Sequence, residues 1–94
     1  MVLDVASYNL TDLSLEQNRL NDEIVKILIE GIKYNTSLLF LNLSRNYITD
    51  AGAEAIANFL LRNEVLRVLF LHWNPIGSKG SIHLSKSLLV NETL

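Results

Sequence analysis

Few residues of this 94-residue chain have types suited to chemistry. There are two histidines, His72 and His83, and no cysteine. The histidines lie eleven positions apart, and neither has an Asp or Glu beside it at a motif spacing. An acid–base pair or a metal site needs such partners, so both are read as exposed or rim residues. Missing cysteine removes disulfides, thiol nucleophiles and thiolate metal ligands. Gly77-Ser-Lys-Gly80 is a glycine-bounded turn before a helix, but it lacks the G-x-x-x-x-G-K-[ST] spacing of a phosphate loop. Arg19, Arg45, Arg62 and Arg67 read as surface charges. The sequence therefore assigns no catalytic residue, metal or cofactor.

Composition narrows the partner class. The chain is 49% apolar and 19% charged, a balance that supports a packed core. Its net charge of −2 offers no basic field for nucleic acid or an anionic membrane. The longest apolar-rich stretch, Ile24 to Ile32, is interrupted by Lys26, Glu30 and Gly31 and falls short of the roughly 20 residues that span a bilayer. Met1-Val2-Leu3-Asp4 lacks the basic start and apolar core of a signal peptide. The four N-x-[ST] sequons, at Asn9, Asn35, Asn42 and Asn91, are by-products of an internal repeat.

That repeat has a period of 28. Leu10, Leu38, Leu66 and Leu94 fall in one column. So do Leu13, Leu41 and Leu69, and then Leu15, Leu43 and Leu71. Asn18, Asn46 and Asn74 form another column, Leu20, Ile48 and Ile76 the next, and Asn35, Asn63 and Asn91 close each unit. Three units result, at 10–37, 38–65 and 66–93, with a fourth beginning at Leu94. Residues 1–9 read as an irregular edge or partial strand.

The pattern L-x-x-L-x-L-x-x-N-x-[L/I], followed by stretches such as Ile48-Thr-Asp-Ala-Gly-Ala-Glu-Ala-Ile56, resembles the leucine-rich repeat of the ribonuclease-inhibitor type. The resemblance covers residues 10–94. It implies an α/β fold, a right-handed βα superhelix bent into a horseshoe solenoid of three repeats. It implies a non-catalytic protein-binding module acting inside the cell. Two other readings come from branches of the same family: a GTPase-activating regulator like the Ran GTPase-activating proteins, and a structural component of a ciliary or cytoskeletal complex.

The residues themselves predict how such a unit is built. Leu13-x-Leu15 and its equivalents alternate as a short strand with both leucines on one side. Parallel strands need a crossover, which a helix supplies. Asp22, Asp50 and Ser78 are predicted N-caps, with Asn21 and Thr49 as alternatives one position earlier. Leu28/Ile29/Ile32, Ile56/Ala57/Leu60 and Leu84/Ser85/Leu88 should face the sheet. The first helix is rich in β-branched residues, and only the register favours helix over strand there. Asn18, Asn46 and Asn74 are predicted to form a ladder that satisfies loop backbone groups.

The strand residues between the leucines should face a concave surface. They fall into rows: Asp12, Phe40 and Val68; Ser14, Asn42 and Phe70; Glu16, Ser44 and His72; Gln17, Arg45 and Trp73. Acidic and polar types give way to aromatic ones along the array. Exposed aromatics serve as interface anchors, so Phe40, Phe70, His72 and Trp73, with Arg45 beside them, form the predicted protein-binding patch. Asn91-Glu-Thr-Leu94 repeats the join Asn35-Thr-Ser-Leu38 with no capping segment after it. The expectation is a longer array, or self-association through uncapped ends.

Overall fold

The computed structural model describes residues 10–94, and the predicted N-terminal edge at 1–9 lies outside them. Strand and helix alternate along the chain: β1 (Asp12–Ser14), α1 (Asp22–Ile32), β2 (Phe40–Asn42), α2 (Asp50–Arg62), β3 (Val68–Phe70) and α3 (Ser78–Leu88). The strands form one parallel sheet in sequence order. Its register pairs residues 28 apart, Leu13 with Leu41 and Leu41 with Leu69. Each helix is the crossover that parallel pairing demands.

The strands are three residues long, shorter than the leucine alternation suggests. Pairing continues past them as single backbone bonds, from Leu15 N to Asn42 O at 2.9 Å and from Leu43 N to Phe70 O at 2.8 Å. The leucines point to the helix layer. There Leu41, Leu43, Ile48, Ile56, Leu60 and Leu66 are almost fully buried.

Helix α1 forms despite its β-branched residues because Val25, Leu28, Ile29 and Ile32 recur at helical spacing and are all buried. Tertiary burial outweighs intrinsic propensity at these positions. Asp22 and Glu23 in its first turn suit the positive end of the helix dipole.

The helix caps differ from expectation. Asn21, Thr49 and Gly77 are the N-caps, and Asp22, Asp50 and Ser78 are the first helical residues. Asn21 caps in the usual way, its Oδ1 accepting from Ile24 N at 3.0 Å. The aspartates have a different task, described below. Helix α3 also differs: Gly80 and Ser87 are its buried residues, Leu84 is half-buried, and Ser85 and Leu88 are exposed. Among the described residues α3 packs against α2 alone, so the outer flank of its apolar stripe meets nothing.

Candidate functional site

Each unit is tied to its neighbours by polar side chains in fixed columns. Asn46 is buried between two units. Its Oδ1 accepts from Asn18 N and Leu20 N, both at 2.9 Å. Its Nδ2 donates to Leu15 O at 3.0 Å and to Leu43 O and Ser44 O at 3.1 Å. Asn74 repeats the pattern, accepting from Ile48 N at 3.1 Å and donating to Leu43 O and Leu71 O at 2.9 Å. Both asparagines reach back to the unit before their own. Asn18 is exposed and donates to Glu16 O at 3.0 Å.

The aspartate column reaches the other way. Asp22 accepts from Thr49 N at 2.8 Å and from the Thr49 hydroxyl. Asp50 accepts from Gly77 N at 2.7 Å and Gly80 N at 3.0 Å. Thr49 therefore makes no side-chain cap bond to its own helix. Partial burial pushes the Asp22 carboxyl up, but donation from Thr49 and Gly52 and the charge of Lys26 outweigh it and hold the carboxyl below its ordinary value. The glycines make room for these contacts. A Cβ on Gly52 would collide with Asp22 Oδ1, and one on Gly80 would lie 2.8 Å from Asp50 Oδ1 and 2.9 Å from Ala53 Cβ.

A third column, Asn35, Asn63 and Asn91, closes the helix-to-strand turns. Asn63 Oδ1 accepts from Leu66 N at 2.7 Å, and Asn91 Nδ2 donates to Leu60 O at 2.8 Å and Asn63 O at 2.9 Å. The 28-residue spacing aligns this column but assigns it no role. An asparagine three residues before each leading leucine is the available signal, since Asx side chains bond nearby backbone amides.

The sheet face away from the helices carries the remaining strand side chains. Phe40 and Phe70 meet edge to face, with ring centroids 5.4 Å apart at 87°. Phe70 meets His72 at 5.8 Å and 66°. Phe70 remains 41% exposed. Ser44 departs from its predicted row: it is fully buried, its hydroxyl donating to Asn42 Oδ1 at 2.6 Å.

Arg45 and Trp73 stand apart from the phenylalanines. The backbone turns left-handed at Gln17, Arg45 and Trp73, with φ of 57°, 58° and 60°. This turn carries the column off the sheet face to the rim. There Gln17, Arg45, Asn46, Tyr47 and Trp73 line an open cleft of about 400 Å³. Trp73 is 74% exposed and Tyr47 57%. A left-handed non-glycine residue costs about 1–2 kcal/mol, so each of these three residues is locally strained. Arg45 Nε lies 3.6 Å from Glu16 Oε1. The predicted patch is thus two sites: a ring trio on the sheet and an aromatic–cationic cleft at its edge. Tyr47 belongs to the second and lies outside the patch that strand spacing predicts.

A larger cleft, about 820 Å³, lies between α1 and α2 and includes Lys26, Lys33, Tyr34, Phe59 and Arg62 in its walls. Its lysines are already engaged, Lys33 with Glu30 at 2.7 Å and Lys26 with Glu23 at 3.7 Å. Arg19, Arg45, Arg62 and Arg67 lie on separate loops and a helix end; Arg67 donates to Thr93 O at 3.4 Å. No group of three His, Cys, Asp or Glu side chains suited to a metal exists among the described residues. No helix among them is long and apolar enough to cross a membrane.

A family model described as Leucine Rich repeat matches residues 34–57. The ribonuclease inhibitor of Mus musculus is 36% identical over 83 residues, 87% of this chain and 18% of its own. RAN GTPase-activating protein 2 of Arabidopsis thaliana is 33% identical over 79 residues, 80% of this chain and 14% of its own. The chain is a leucine-rich-repeat protein of the ribonuclease-inhibitor-like type. Among solved structures, Leiomodin-1 Actin-Binding Site 2 superimposes with a TM-score of 0.89 at 28% identity, over 98% of this chain and 56% of its own. This leucine-rich-repeat chain therefore spans less than a fifth of those curated relatives and about half of that structure.

Proposed function

We propose that these leucine-rich repeats form one stretch of a right-handed horseshoe solenoid that binds a protein through its concave sheet face, without catalysis, as a scaffold. The Phe40–Phe70–His72 ring trio carries this reading. Phe70 lies on the side of the sheet away from the core, where folding does not require an aromatic. Large aromatic rings held against one another are preorganised anchors, because little side-chain freedom is lost on docking.

Quantitative capture from a lysate tests it. Phe70→Ser should lower partner capture by about tenfold or more. Ile27→Ser, on the exposed face of α1, should leave it unchanged. Equal losses for both variants, or for neither, would remove the concave face from the interaction.

A second reading, a part in a cytoskeletal assembly, is favoured by the likeness to an actin-binding site. Co-sedimentation with actin filaments, and a monomer-binding titration, test it directly. Binding that Phe70→Ser abolishes would name actin as the partner; no binding in either assay would set this reading aside.

A further inference from the structure

The rim cleft has features that folding does not explain. Trp73 is largely exposed, so packing does not account for an indole there. Tyr47 lines the same cleft with an exposed ring. Arg45 lines it too, and its one ionic contact is through Nε, to Glu16 at 3.6 Å. Among the described residues neither terminal nitrogen of Arg45 donates a hydrogen bond. A guanidinium with its terminal N–H groups free presents a fork that matches a carboxylate.

We propose that this cleft takes an acidic linear segment of a partner protein, with a carboxylate on the Arg45 guanidinium and an adjacent apolar side chain between Tyr47 and Trp73. The inference rests on the concave-face reading and gives its partner a chemistry. Charge sets the direction of the bound segment. Asp12 and Glu16 make the first unit acidic, and Arg45 in the second carries the cation. The acidic part of the segment must therefore lie over the second and third units.

Trp73 is the only tryptophan in the chain, so its emission reads the cleft without a label. The whole chain is titrated with a synthetic peptide repeating Gly-Asp-Leu, with its Gly-Asn-Leu and Gly-Lys-Leu counterparts, and with oligothymidylate. The acidic peptide should shift Trp73 emission and bind about tenfold tighter than the amide peptide, and salt should weaken it. Arg45→Gln should erase that preference while leaving the thermal melt in place. Equal binding of the acidic and amide peptides, an unchanged preference in Arg45→Gln, or a stronger response to the oligonucleotide overturns the proposal. So does a concentration-dependent emission shift without peptide that tracks sedimentation, which assigns the cleft to a second copy. Partner capture that depends on Phe70 but not on Arg45 sinks the acidic segment alone and leaves the concave-face reading standing.

Discussion

Asn46 and Asn18 occupy the same column yet do different amounts of structural work. Asn46 satisfies two backbone amides and one carbonyl across a junction and two carbonyls of its own unit, and Asn18 satisfies one carbonyl in its own loop. Removing a buried partner leaves its donors and acceptors orphaned, and the penalty follows their number. Asn46→Ala should cost about 3 kcal/mol in a denaturant melt, and Asn18→Ala under about 1 kcal/mol. Asp22 gives a pH signature. Its folded value is depressed, so its stabilisation is complete above the ordinary carboxylate range of about pH 4 and is lost as pH falls through the lower folded value. Asp22→Asn should flatten that acid limb when stability is measured between about pH 5 and pH 2. An acid limb equally steep in the variant would mean that Asp22 is not linked to folding.

Close approach explains the helices better than propensity does. Gly80 sits inside α3, where alanine is normally favoured by about 1 kcal/mol. Here the added methyl would meet Ile76 Cγ2 at 2.7 Å as well as Asp50 and Ala53. Ala53 Cβ is fixed to backbone and cannot swing aside. Gly80→Ala should therefore destabilise by about 1–3 kcal/mol and lower the thermal midpoint. Helix placement was legible in the sequence because apolar spacing and the 28-residue register agree. Cap position was not. Asn21 and Asp22, or Thr49 and Asp50, are both good caps by type, and the neighbouring unit decides which side chains are drawn away from their own helix. The left-handed turns were hidden for a related reason. Gln, Arg and Trp are not left-handed formers, so nothing local announced that Arg45 and Trp73 leave the sheet face.

Over the whole molecule, burial peaks in the middle unit. Leu60 and Leu88 share a column, but Leu60 is 1% exposed and Leu88 53%. Leu60→Ala should cost about 2–5 kcal/mol, and Leu88→Ala about 1 kcal/mol or less. The columns alone treat these positions as equivalent; a repeat written in sequence does not say which copies have neighbours on both sides. The aromatic residues of the binding face were legible by type and spacing, but their division between sheet and rim was not. The hydrogen bonds that join units share one further property: their partners lie 26 to 31 residues apart at every junction. Each junction thus closes a loop of nearly constant length, at nearly constant entropic cost. Contact order, measured as absolute separation, does not grow as units are added. The rate at which any junction zips is fixed by the length of one unit, so structure nucleated at the middle can spread outward in equal kinetic steps.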